Sequence, residues 1–518
     1  MTLSASLPNT LRSNLRLAML AATAVALLPL AGCGGGTPAV NAPAPVQQTQ
    51  NHVAGTNNPL VARYYVTASQ AATVVVQFGP TTNYGFQTSP QTIPEGGGTV
   101  DVLVAGMKQN TQYHMRAVLT TSSGQILDQD RTFQTGAIPA GSIPAMNLTI
   151  TPGQQPTSGI QLVSGVVTEF AIDPAGDVVW FYKNNPGDAP YLVKLLPNGN
   201  MLMILNLTGP PASSELREVD LSGTTVRSVT LLSLNQELRQ DGYNVRATSI
   251  DHDALLMPNG HLLFIVTHSR VFTDLPGYPG QTTVFGNAVV DVDQAGRPAW
   301  VWDAFDHLDV NRHPIYFPDW THANALFYIP DDGSLLLSLR HQHWVLKIDY
   351  ANGTGSGDVI WKLGYQGDFT LLDSSSPADW FYAQHDANII SQNLTGDFQL
   401  AAFDNGNFRV LDESGDTCNP MGNPPCYSTA AIFDVNETNM TAQRLWTFQS
   451  PFSLWGGSNQ LLTSSNMLVN ETAPSDLPGS RALEMTQQPN PTIIWKLEFQ
   501  PGAYRTLHMP SLYPGVQW

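Results

Sequence analysis

The chain has 518 residues, 12% of them charged, with 43 glycines, 38 prolines and a formal net charge of −18. That length allows two or three domains, or one large repeat fold beside a small one. Frequent turn residues and sparse charge argue against long amphipathic helices and for an all-β protein, and an acidic surface repels phosphate backbones, which argues against nucleic acid as a partner.

Residues 1–32 read as an export signal. Arg12 and Arg16 form a basic start, and Leu17 to Leu30 is an apolar stretch too short for a stable membrane span. Leu30-Ala31-Gly32-Cys33 resembles a bacterial lipobox, whose cleavage would leave Cys33 as a lipidated N-terminus; an ordinary secretory signal with an incidental cysteine is the alternative. Cleavage would remove two arginines and no acid, taking the net charge from −18 to −20. Gly34, rather than Asp, after the cysteine favours the outer membrane by resemblance to proteobacterial sorting. The expectation is therefore an exported protein, attached to the outer membrane by its lipid alone and facing the periplasm or the cell surface. Residues 33–58, rich in Gly, Pro, Ala and Gln, read as a flexible tether.

Residues 59–137 carry short alternating strands at Val61–Thr67, Ala72–Phe78, Thr99–Val104, Tyr113–Thr120 and Ile126–Thr132. The stretch from Met107 through Tyr113 to Val118 resembles the tyrosine corner of a fibronectin III or immunoglobulin-like sandwich. His114 falls on an alternating strand and reads as a surface residue. No catalytic constellation stands out in this region.

From residue 145 to 518 the chain repeats. One half-repeat runs an apolar strand into a turn and out again, as in Leu196-Pro-Asn-Gly-Asn-Met201, Met257-Pro-Asn-Gly-His-Leu262 and Ile329-Pro-Asp-Asp-Gly-Ser334, with looser copies at Asn393–Gly396 and Leu462–Met467. The other runs from an acid or turn to a tryptophan: Asp173 to Trp180, Asp293 to Trp300, Asp349 to Trp361, Asp434 to Trp446 and Gln487 to Trp495, with a Trp-less copy at Asp220. Each pair of halves supplies four short strands. Six such units make a six-bladed β-propeller, with a strand at Arg505–Leu512 completing the first blade and closing the ring. Seven blades is the competing count.

Three histidines stand at matching points of successive repeats: His252 in Ser-Ile-Asp-His-Asp-Ala, His322 in Trp-Thr-His-Ala-Asn and His385 in Ala-Gln-His-Asp-Ala, separated by 70 and 63 residues. In a radial repeat they converge on one channel mouth. Asn324 shares the strand face of His322, and Arg340 closes the next strand. Imidazoles beside a guanidinium suit a tetrahedral oxyanion: one can attack sulfur or phosphorus, another can serve the leaving oxygen, and the arginine fork can hold the remaining oxygens. A structural role for each histidine, a tri-His metal site and a non-catalytic ligand-binding propeller are the alternatives. His261, His268, His341 and His343 read as strand or turn surface. No Walker loop, dinucleotide glycine pattern or serine elbow occurs, so neither a nucleotide nor another cofactor is expected. Export to an oxidising compartment predicts that Cys418 and Cys426 pair, leaving no odd thiol.

Asp319-Trp-Thr-His322-Ala-Asn324, Leu337-Ser-Leu-Arg340-His341-Gln342, Gln384-His385-Asp386-Ala387 and Phe403-Asp-Asn-Gly-Asn407 occur in that order. Together, across about 250–510, the chain resembles the bacterial arylsulfate sulfotransferases, the nucleotide-independent type. The resemblance implies a phenolic sulfate donor, a phenolic acceptor and a ping-pong reaction through a sulfated histidine. It places the nucleophile at His385, the sulfuryl-binding residues at His322, Asn324 and Arg340, and the acid/base at His252. It also places the Cys418–Cys426 pair near the active site. The Ser-Ile-Asp before His252 departs from the paired-His form of the family, and neither Cys33 nor the leading sandwich belongs to its pattern.

Overall fold

The computed structural model describes residues 51–518 except 166–167, 209–212 and 393–396. The signal, Cys33, most of the tether and the turn at Asn393–Gly396 lie outside the described residues. The rest is all-β, with two short α-helices, at Leu231–Gln240 and Ala304–His307.

Order begins earlier than the tether reading placed it, because His52–Gly55 pairs with Ala62–Ala68. Ala62–Ala68 pairs on its other edge with Gly98–Val104, while a second sheet is built on Ala72–Gly79 and Gln112–Thr121. Alternate residues of Ala62–Ala68 are buried, as a two-period strand over a core requires. The single strand expected at 126–132 is two, Gly124–Leu127 and Arg131–Gln134, both paired with Gln112–Thr121. Tyr113 Oη accepts from Lys108 N at 3.0 Å, the back-reaching bond of a tyrosine corner.

Six further sheets of four or five antiparallel strands follow, one five-strand sheet adding a parallel edge strand at Thr370–Leu372. Their lead strands are Asp188–Leu195, Ser249–Leu256, Ala323–Ile329, His385–Gln392, Ser458–Leu461 and Ala503–Met509. The last, as expected, joins the first sheet, antiparallel to Ile160–Gly165. Ala145–Ile150 does the reverse and adds to the final sheet beside Ile493–Gln500. The chain is thus closed from both ends. This second closure has no counterpart in the sequence reading, because Ala145–Ile150 carries neither half of the repeat.

The repeated acids and tryptophans explain one another. Asp173, Asp220 and Asp293 each accept backbone N–H groups two and four residues on, which fixes the turn. Each tryptophan indole then donates to that turn in the following sheet: Trp180 to Leu221 O, Trp300 to Gly355 O, Trp361 to Glu437 Oε1, Trp446 to Gln488 O, and Trp495 back to Pro174 O. In the Trp-less copy Arg227 takes over, donating to Gly260 O and Asp293 O. Six donor–turn links lead from sheet to sheet and return to the first.

Candidate active site

Three lead strands change register at a histidine. The ladder slips between Asp251 and Ala254, between Ala323 and Ala325, and between His385 and Asn388. His252 and His322 take left-handed φ values of 56° and 49°, and Asp386, beside His385, one of 52°. Each such residue costs roughly 1–3 kcal/mol, and a bulge re-aims the side chains around it. The same device used three times brings the rings together. His252 and His322 have centroids 4.8 Å apart, and the Tyr504 ring stands 5.8 Å from His252 and 5.9 Å from His385.

His385 is buried, and its tautomer is fixed. Its Nδ1 lies 2.6 Å from Asn405 Oδ1. The Asn405 amide nitrogen donates to Ser453 O at 2.9 Å and Gly456 O at 3.0 Å, so its oxygen faces the ring and can only accept. Nδ1 therefore carries the proton and Nε2 the lone pair, which meets the Gly456 N–H at 3.3 Å. Burial, and then the Arg340 charge, hold the imidazole well below its usual pKa, so Nε2 is unprotonated at neutral pH. His252 is lowered well below the usual value for the same first reason, with His322, Arg505 and Arg340 adding to it. Its Nδ1 has no partner among the described residues.

Arg340 is buried at the end of the strand Ser334–Leu339. One Nη donates to Leu454 O at 2.9 Å, and the other meets His341 Nε2. His341 Nδ1 in turn donates to Asp319 O at 2.6 Å, and the Asp319 carboxylate lies 2.7 Å from His322 Nδ1. Asn324 gives one N–H to Gln384 O at 2.7 Å, bracing the peptide that leads into His385. A cavity of about 250 Å³ opens onto this cluster between Tyr191, Asp251, His252, Trp455 and Tyr504.

His252, His322, Asn324, Arg340 and His385, all singled out in the sequence, are thus gathered in one cluster. The surface expectation fails for His268, His341 and His343, which are buried. The tight turn at Arg340–Gln342, followed by His343 with φ 57°, breaks the in–out alternation on which that expectation rested. His508 packs Nδ1 against Gln161 Nε2 at 3.1 Å.

Four participants were missed. Arg505, on the closing strand, spans Asp253 at 3.3 Å, Asp386 at 3.2 Å and Asn324 O at 2.6 Å. One guanidinium therefore touches the neighbours of all three histidines, and the repeated His-Asp at 252–253 and 385–386 was the available signal. Tyr504 presents a buried hydroxyl with no partner among the described residues, and burial pushes its pKa up to about 12. Asn405 and Asp319 are the other two. Cys418 and Cys426 form a disulfide, and Cys418 Sγ lies 3.2 Å from Gly406 O, next to Asn405. Gly406 has φ 77°, and a side chain there would meet Tyr427 O.

A metal does not fit these donors. Among the described residues the set at ligand spacing is Asp319, His322 and His341, yet both His341 nitrogens are engaged, by Asp319 O and by the Arg340 cation. The three histidines 252, 322 and 385 do not form such a set.

The sequence matches the arylsulfotransferase (ASST) family over residues 158–498. The chain belongs to that family. It is 23% identical to arylsulfate sulfotransferase AssT of Escherichia coli over 258 residues, 38% of this chain and 40% of that protein. The chain thus spans about two fifths of the length of the curated relative it matches. Among solved structures, a protein of unknown function from Bacteroides caccae matches at 10% identity and TM-score 0.38, over 68% of this chain and 98% of that one. A Synechocystis apocarotenoid oxygenase mutant matches at 12% and 0.33, over 89% and 97%. At these scores neither likeness carries an argument. Within the matched family region lie all three histidines, Asn324, Arg340 and the disulfide, whereas Tyr504 and Arg505 fall beyond it.

Proposed function

We propose that this arylsulfotransferase family member moves a sulfuryl group from a phenolic sulfate ester to a phenolic acceptor by way of His385. The observation that carries the reading is the tautomer lock: Asn405 leaves His385 with a buried, unprotonated Nε2 beside two further imidazoles and a guanidinium. In the first half-reaction Nε2 forms an N–S bond as the S–O bond to the aryl oxygen breaks, and the electron pair leaves with the phenolate. In the second, a phenol oxygen attacks that sulfur, and Nε2 recovers its lone pair. His252, neutral in the free protein, takes the incoming phenol's proton and returns one to the departing phenolate. Arg340, His322 and the second N–H of Asn324 hold the sulfuryl oxygens.

The six sheets, linked in sequence by their indoles and closed by Ala503–Met509, support a six-bladed β-propeller at 145–518 with the site at one channel mouth. The Tyr113 bond supports an immunoglobulin-like sandwich at 59–137. The lipobox-like stretch supports export and acylation at Cys33; Cys33→Ser should release the protein from membranes, and a variant processed and located like the parent would overturn that part.

The decisive experiment is incubation with 4-nitrophenyl sulfate alone, followed by intact-mass measurement. The parent should gain one acid-labile sulfuryl group on His385, and His385→Ala none. Sulfation found on another residue, or in His385→Ala, would overturn the assignment. A protein that binds aryl sulfate without releasing nitrophenol would instead be a binding module.

A further inference from the structure

A second cavity, of about 290 Å³, lies on the far side of Tyr316 from the cluster around Arg340. Tyr316 is the shared wall. The Arg340 guanidinium stands 5.2 Å over its ring, and the His341 ring is 5.0 Å away. On the cavity side its ring meets Phe408 at 5.3 Å, and Tyr365 and Thr417 complete the walls.

Two donors line this cavity without an acid to answer them. Arg312 stacks its guanidinium 3.7 Å above the Trp344 ring. It donates from Nη1 to Gln342 O and Oε1 and from Nη2 to Tyr365 O. The Nε–H has no protein partner among the described residues, Nη2 carries a second N–H beside the one given to Tyr365 O, and no carboxylate pairs with the cation there. A half-buried cation with no counter-charge carries a desolvation cost that a bound anion offsets. His343 is the second donor. Its Nδ1 accepts the Ala383 N–H at 2.9 Å, so the ring proton sits on Nε2 and is available to the cavity that the ring lines. Burial, with Arg312, Arg340 and Arg409 nearby, keeps this imidazole neutral, its pKa lowered to about 3. The neighbours acting on it are all cationic.

We infer that this cavity is a second binding site, for an aromatic ring bearing a single anionic group. The anion sits on the Arg312 edge and the His343 N–H, and the ring lies among Tyr316, Tyr365 and Phe408. Aromatic walls with a few directed polar groups are the general make-up of small-molecule sites, and an arginine edge matches two oxygens of a sulfate, sulfonate or carboxylate. The site stands on its own geometry and does not require the proposed transfer reaction. An arene sulfate and an arene carboxylate share the chemistry it recognises.

Calorimetric titration of the whole protein tests this with ligands that cannot transfer a sulfuryl group. 4-Toluenesulfonate has a C–S bond and should bind at two sites per chain, the catalytic mouth and this cavity. 4-Methylbenzoate in the same titration tells whether a carboxylate serves as well as a sulfonate at the second site, and neutral 4-methylbenzyl alcohol should not bind there. Arg312→Met should reduce the toluenesulfonate stoichiometry from two to one while His385 is still sulfated by 4-nitrophenyl sulfate. Thr417→Trp, an exposed substitution that narrows the cavity and leaves both donors in place, should do the same and guards against misfolding of the arginine variant. One site in the parent, or two retained in Thr417→Trp, would overturn the inference, and sulfation of His385 would show in either case that the proposed activity stands apart from it.

Discussion

Asp386 and Arg505 face each other at 3.2 Å, both buried, one beside the proposed nucleophile and the other on the strand that closes the first sheet. The same Nη1 lies 3.3 Å from Asp253, the neighbour of His252, and Asp253 also pairs with Lys194. The strand that closes the fold therefore also braces the segments that carry the histidines. The bulges bring the rings together, and the guanidinium ties the two aspartates together.

Arg505 is accordingly expected to act as a positioning residue. Arg505→Met leaves the buried Asp386 without its cation, while Asp253 keeps Lys194, and should cost about 3–5 kcal/mol of stability. Arg505→Lys keeps the charge but loses the fork that reaches Asp253, Asp386 and Asn324 O together. It should stay folded, yet sulfate His385 at least ~10-fold more slowly, which is at least about 1.4 kcal/mol of lost transition-state stabilisation. Denaturant titration beside the single-turnover mass assay separates the two effects. A lysine variant with the parent's sulfation rate would refute the role.

Asn405 fixes the tautomer of His385, and a carboxylate in its place gives a pH signature. In the parent the folded pKa of His385 lies well below its usual value, so the nucleophile stays unprotonated as pH falls through 6.5. Asn405→Asp puts a carboxylate on Nδ1 and favours the imidazolium. The acid limb of the pH–rate profile should then move to higher pH, measured from pH 5 to 8 with donor in excess. An unmoved limb would mean that the group at position 405 does not act on the titration of this ring.

How far the sequence exposed all this depended on what repeats. His252, His322 and His385 recur at one point of the repeat, so the period itself flagged them. Asp173, Asp220 and Asp293, and the tryptophans, recur because each sheet must bond to its neighbour's turn. Arg505 and Tyr504 occur once, on the closing strand; the repeat count anticipated that strand's pairing with the first sheet, but no local pattern reveals which side chains it brings to the site. His341 and His343 misled because a three-residue turn reverses the in–out alternation within one step. Ala145–Ile150 alternates Met146, Leu148 and Ile150 with Asn147 and Thr149, but its burial is slight and it carries neither half of the repeat, so the period did not flag it.

His343 allows a stability prediction with a definite sign. Its pKa is about 6.5 in an unfolded chain and about 3 in the folded protein. Between those values the unfolded state binds the extra proton, so stability is full above pH 6.5 and is lost as pH falls below it. His343→Gln can still accept from Ala383 N–H but cannot titrate. From pH 6.5 to 5 the parent should therefore lose about 2 kcal/mol more than this variant, at ~1.4 kcal/mol per pH unit. Parallel urea titrations at the two pH values give the comparison, and equal losses would show that the ring is protonated within the fold.

His252 and His385, whose ring centroids lie 5.8 Å and 5.9 Å from that of Tyr504, should fail differently. His385 makes the bond to sulfur, so His385→Ala should abolish transfer from every donor. His252 only moves a proton to and from the aryl oxygen, an assistance typically worth about 10²–10⁴-fold. Its burial and the surrounding cations keep it neutral in the free protein, and a bound sulfate ester, being an anion, draws the proton onto it. The help matters most when the departing phenolate is strongly basic. Across aryl sulfates of rising phenol pKa, the deficit of His252→Ala should therefore grow, small for 4-nitrophenyl sulfate and approaching the full factor for phenyl sulfate. The parent should show a shallower dependence of rate on leaving-group pKa than the variant. Tyr504 sits where its unpartnered hydroxyl can share the load, so Tyr504→Phe should steepen the same dependence by a smaller amount. Two parallel lines, for parent and His252→Ala, would mean that His252 binds the sulfuryl group and leaves proton transfer to another residue.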